Sequence, residues 1–99
     1  MSDFSKPVLA FDSALGGCTV AVINGAAVHT RVLETQREQA AKLMPMIQSV
    51  MDEAKVAFAD LGLIVTTVGP GSFTGLRISL STARSLGLAL DIPVQGIGT

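Results

Sequence analysis

The spacing of apolar positions changes character several times along the chain, and each change predicts an element. Pro7 to Asp12 reads Pro-Val-Leu-Ala-Phe-Asp. Four consecutive apolar residues, bounded by proline and a polar turn, predict a central strand buried on both faces. Ser13 to Gly17 is the turn that follows. Cys18–Ile23 and Ala26–Glu34 then flank Asn24-Gly25. That dipeptide predicts a hairpin, because both central positions of a type I′ turn need positive φ. In the second arm Val28, Thr30 and Val32 alternate with His29, Arg31 and Leu33, so one face is drier than the other.

From about Arg37 the period lengthens. Ala40, Leu43, Met44, Ile47, Val50, Met51 and Ala54 recur at helical spacing and predict an amphipathic helix with a wide apolar face. Pro45 interrupts it. A proline inside a helix costs about 3 kcal/mol, which predicts a kink or a fresh start near Leu43. Leu61–Val68 is rich in β-branched residues and predicts a second buried strand. Gly69-Pro-Gly-Ser-Phe-Thr-Gly75 is a glycine-rich loop, and a second helix is expected over Leu76–Leu90. It stops before Ile92-Pro93, since a residue preceding proline disfavours helix. Val94–Gly98 predicts a last short strand.

The order is βββαβαβ, an α/β chain. A hairpin followed by right-handed crossovers builds a mixed five-stranded sheet with the parallel strands beside the first. Both crossovers put their helices on one face. Nothing in the sequence covers the other, so the chain reads as half of something.

Composition sharpens this picture. Of 99 residues, 48% are hydrophobic and 15% charged. That suffices for a folded domain but is apolar for so small a sphere, so some of the surface should lie against a partner or further polypeptide. The net charge is −1 and the seven basic residues are scattered. Direct nucleic-acid binding by this domain alone is therefore not expected, because phosphate contacts need clustered Lys and Arg. Cys18 is a lone cysteine in an apolar stretch, expected to be a small buried hydrophobe. The first residues lack the charged and apolar regions of a signal peptide, and no run is long enough to span a membrane. A cytoplasmic protein is expected.

Two loops could carry chemistry. Asp12, followed by Ser13, ends the first strand. A carboxylate there can hold a metal or water that bridges phosphates, or can simply satisfy turn N–H groups. In the second loop Gly69, Gly71 and Gly75 permit a close backbone approach. Ser72 or Thr74 could cap the following helix, whose N-terminus suits an anion. The loop is neither a Walker motif nor a dinucleotide fingerprint. His29, the only histidine, has no cysteine or acidic cluster near it in sequence, and no Ser-His-Asp arrangement can be assembled. No catalytic residue, metal site or cofactor is expected. Met44, Met46 and Met51 read as packing residues.

The string Gly69-Pro-Gly-Ser-Phe-Thr-Gly-Leu-Arg-Ile78 resembles the signature of the TsaB/YeaZ family. Leu9–Ser13 is similar to that family's opening strand and loop, Lys42–Ile47 to its proline-bearing first helix, and Ala83–Gly96 to its second helix and closing strand. The resemblance implies one half of an RNase H-like, actin-like ATPase (ASKHA) fold, with the family's C-terminal domain absent from this chain. It implies a non-catalytic dimerisation subunit in the synthesis of tRNA threonylcarbamoyladenosine. The implied partners are a TsaD-type transferase and a TsaE-type ATPase, with a homodimer in isolation. Pairing would use both helices, and Met46, Val50, Leu80, Ala83 and Gly87 are the expected contact residues. The glycine loop and Asp12 would be vestigial nucleotide loops. The alternative implied by the same fold is an ATPase or metallopeptidase-like domain using Asp12 and residues 69–75.

Overall fold

The computed structural model describes residues 6–12, 17–34, 39–67 and 73–97. Five strands and two helices follow in the expected order: β1 (Val8–Asp12), β2 (Gly17–Asn24), β3 (Ala27–Glu34), α1 (Gln39–Ala54), β4 (Leu63–Thr67), α2 (Phe73–Leu90) and β5 (Val94–Ile97). A 3-10 turn over Phe58–Asp60, absent from the sequence-based expectation, leads into β4. The strands lie in the order β3-β2-β1-β4-β5. β1 pairs antiparallel with β2 and parallel with β4, and β5 extends the parallel half beyond β4.

The hairpin forms where Asn24-Gly25 predicts it, one residue out of the expected register. Asn24 pairs with Ala27, so the two-residue turn is Gly25-Ala26. Gly25 alone has positive φ, +64°, which a type II′ turn requires at its first central position. Glycine there removes the steric cost that any L side chain would bring.

Strand alternation sorts the sheet into two faces. Leu9 and Phe11 of β1, Cys18, Val20 and Val22 of β2, and Ile64 of β4 point to one side and are buried. The register brings Leu9 beside both Val22 and Ile64. Onto this side α1 lays Leu43, Met46, Ile47, Val50 and Met51, the i, i+3, i+4, i+7 and i+8 stripe, all buried. Each such side chain contributes about 1.5–3 kcal/mol when removed from water. α2 adds Ala83 to the same core, with Leu86 and Leu90 packed against it.

Pro45 sits inside α1 and faces solvent. The helix begins at Gln39, so the expected fresh start near Leu43 does not occur. Both helices stop by the same device. Val56 N–H donates to the Met51 carbonyl at 3.0 Å and Lys55 N–H to that of Asp52 at 3.1 Å, with Lys55 at φ +58°. Ile92 N–H likewise reaches the Gly87 carbonyl at 3.1 Å, with Asp91 at φ +56°. These are Schellman caps, and at the first the accompanying apolar contact is supplied by buried Val56 and Met51.

The outer strand β3 is tied down by charge. Arg31 donates from Nη1 to Ser49 Oγ and from Nη2 to Glu53 Oε1, both at 2.7 Å, and His29 Nδ1 lies 3.7 Å from Glu53 Oε2. Such exposed pairs are worth about 0–1 kcal/mol, so they orient the edge more than they stabilise it.

Candidate functional site

The parallel strands β1, β4 and β5 run side by side, which brings their carboxyl ends to one edge of the sheet. Asp12 closes β1 there, half-buried, opposite Thr19 of β2. One residue short of the end of β4 stands Thr66, beside Phe11. Its hydroxyl is buried and has no hydrogen-bond partner among the described residues. An unpaired buried hydroxyl costs about 1–3 kcal/mol, so Thr66 is an energetic anomaly at the edge where α2 begins. Sequence reading passed over it because threonine suits a strand as well as valine does. The available signal was the arrival of hydroxyl side chains, Thr66-Thr67, at the end of an apolar run leading into the glycine loop.

Ser13, Gly69, Gly71 and Ser72 lie outside the described residues. Thr74 and Gly75 belong to the first turn of α2, which starts at Phe73 rather than at the expected Leu76. Only their backbone is described. His29 points to the helix-covered side, towards Glu53, whereas Asp12 points to the opposite side. The sheet itself separates the two, so they cannot act as an acid–base pair. No group of three metal-ligating side chains occurs among the described residues.

The expected contact residues require a correction. Met46, Val50 and Ala83 are buried in the core of this chain, and Gly87 is buried against β5. They belong to the inner stripes of α1 and α2, which the sheet already occupies. Leu80 is half-buried. Among the described residues, the exposed side chains are Lys42, Pro45, Gln48, Asp52 and Glu53 on α1 and Ser81, Arg84, Ser85, Leu88 and Ala89 on α2. Leu88 is the outlier, 85% exposed.

The face of the sheet turned away from the helices is open. It presents Val8, Ala10 and Asp12 of β1, Thr19, Ala21 and Ile23 of β2, Val28, Thr30 and Val32 of β3, and Leu63 and Val65 of β4. Val28 and Val32 are 59% and 64% exposed. At its centre is a shallow depression of about 210 Å3. The apolar excess legible in the composition therefore resides chiefly here. Among the described residues, no helix is long and apolar enough to cross a membrane.

Comparison with known proteins agrees with this architecture. The family model described as "TsaD: tRNA N6-adenosine threonylcarbamoyltransferase" matches residues 30–99. The TsaB protein of Buchnera aphidicola from Schizaphis graminum, named for tRNA threonylcarbamoyladenosine biosynthesis, is 39% identical over 99 residues, covering 100% of this chain and 46% of its own length. The Escherichia coli TsaB is 33% identical over 92 residues, covering 93% of this chain and 40% of its own. This chain thus spans less than half of those relatives. The solved structure of YeaZ from Pseudomonas aeruginosa superposes with a TM-score of 0.90 at 32% identity, over 94% of this chain and 44% of that one. With sequence motif, strand order and superposition in agreement, the chain belongs to the TsaB/YeaZ family, within the wider group that the TsaD family model describes.

Proposed function

We propose that this chain is the N-terminal half of a non-catalytic scaffold subunit for the formation of threonylcarbamoyladenosine in tRNA. The observation that carries the reading is the end-to-end likeness to TsaB, 39% identity across all 99 residues. The subunit pairs with a TsaD-type transferase, which moves the threonylcarbamoyl group from its adenylate to the adenosine next to the anticodon. A TsaE-type ATPase joins the assembly, and in isolation the chain pairs with itself. The separation of His29 from Asp12 by the sheet supports a scaffold over an enzyme, as does a net charge too low for a tRNA-binding surface.

The contact surface of this scaffold is the outer side of the two helices, centred on Leu88. Leu88 is the most exposed large apolar side chain among the described residues, and it would give such a contact its apolar centre. Ser81, Ser85 and Ala89, spaced four apart beside it, let a facing helix come close.

Co-expression with a TsaD-type subunit, followed by affinity purification and light scattering, tests the pairing. A stoichiometric complex is expected, weakened more than tenfold by Leu88→Glu. A chain that stays monomeric and never binds the transferase would overturn the reading.

A further inference from the structure

A polar cleft lies at the end of the sheet opposite Asp12, where the chain enters β1 and α1 stops. It measures about 470 Å3, within the roughly 300–1,000 Å3 of small-molecule sites. Lys6 lines it ahead of β1, Asn24 at the end of β2, Lys55 after α1, and Ala59 and Asp60 in the 3-10 turn. We propose that this cleft binds a small, hydroxyl-bearing phosphate monoester, its phosphate held between Lys6 and Lys55. The site is independent of the scaffold reading.

Two separate backbone devices bring the lysines there. Lys55 sits in the left-handed region at φ +58°, in the helix-ending position that glycine fills without steric cost. A strained residue at the lip of a cleft points to a use for its side chain. The carboxyl end of α1 favours a cation nearby, but it does not account for Lys6. The stem of Lys6 lies across Gly62: a β-carbon built on that glycine would be 2.7 Å from Lys6 Cβ and 3.1 Å from its Cδ. Gly62 N–H also donates to the Pro7 carbonyl at 2.9 Å, which pins the backbone beside Lys6. The other wall is fixed too, because Asp60 N–H donates to the Ala57 carbonyl at 2.9 Å.

The charge balance selects the ligand. Among the described residues neither lysine forms an ion pair, since both salt bridges go to Glu53. Two ammonium groups against the Asp60 carboxylate leave the lining net positive, in a chain whose formal charge is −1. A phosphate monoester carries roughly −1.5 to −2 at neutral pH, which two lysines match. Asn24 has amide N–H groups to donate to a further phosphate oxygen. An ionised Asp60 can only accept, so it suits a hydroxyl of the ligand and repels a second phosphate.

The test titrates the 99-residue chain with inorganic phosphate, glycerol 3-phosphate and glycerol, by calorimetry and backbone NMR. Glycerol 3-phosphate should bind saturably and at least threefold more tightly than phosphate, and glycerol should not bind. Shifts are expected at Lys6, Asn24, Lys55, Ala59 and Asp60. Lys55→Gly keeps the cap of α1 and should weaken binding more than tenfold. Lys6→Met keeps the stem on Gly62, removes the charge, and should do the same. Asp60→Asn should erase the preference for the ester. Three outcomes would each overturn the proposal: no saturable binding, an affinity unmoved by both lysine variants in folded protein, or shifts confined to the opposite edge around Asp12. None of these bears on pairing with the transferase, which the Leu88 variant reads separately.

Discussion

Val94 on β5 fills the space that a side chain at Gly87 of α2 would need. A β-carbon built on Gly87 would lie 2.5 Å from Val94 Cγ2 and 3.3 Å from the Ile92 carbonyl oxygen. Valine is short and stiff at χ1, so it cannot swing aside as a long flexible chain would. The glycine is therefore the device that lets the end of α2 approach the last strand, rather than a surface for another helix. Gly87→Val should destabilise the chain by about 2–3 kcal/mol, read from urea unfolding. An unchanged midpoint would show that the helix–strand spacing is elastic.

The cap of α1 yields a prediction of opposite sign. Lys55 holds a left-handed conformation that costs an L residue about 1 kcal/mol. Glycine escapes that cost but loses more freedom on folding, so Lys55→Gly should stabilise the chain by about 0.5 kcal/mol. Equilibrium denaturation would show it. A clear loss of stability would mean that the lysine side chain makes a contact outweighing its backbone strain.

Thr66 should behave similarly for a different reason. Its hydroxyl is buried without a partner among the described residues, and valine has nearly the same shape. Thr66→Val should raise stability by about 1 kcal/mol. If the variant is instead less stable, the hydroxyl has a partner in solution, and the carboxyl edge of the sheet is an occupied polar site.

How far the sequence carried differs between fold and site, and Val50 shows why. The hairpin, the strand order and the one-sided helices were legible because turn chemistry and period act locally. The inward side of α1 was not. Apolar residues at 43, 44, 46, 47, 50 and 51 cover so much of the helix circumference that the pattern fits more than one docking angle. The sheet takes up 43, 46, 47, 50 and 51, leaving a polar exterior. On α2 the same ambiguity hid Leu88, which sits among apolar neighbours in sequence yet faces water. The start of α2 at Phe73 was missed because Gly75 suggested loop, whereas a helix's first turn tolerates glycine once packing fixes the rest.

Two carboxylate substitutions separate core from contact surface. Val50→Glu buries a charge beneath the sheet and should cost several kcal/mol, enough to unfold so small a domain. Leu88→Glu should leave stability within about 0.5 kcal/mol of the parent while reducing association with the transferase. Thermal melts and size-exclusion chromatography of both variants check this. A folded, fully associating Leu88→Glu protein would remove α2 from the interface.

On the proposed function, this domain supports a transferase without performing chemistry itself. The direct measurement is threonylcarbamoyl transfer to tRNA by a TsaD-type subunit with its TsaE-type ATPase, with and without the full-length protein carrying this domain. The account predicts no modified adenosine from that protein alone, stimulation when it joins the transferase, and no loss of stimulation with Asp12→Ala. Turnover of ATP or transfer to tRNA by the protein alone, abolished by Asp12→Ala, would contradict it.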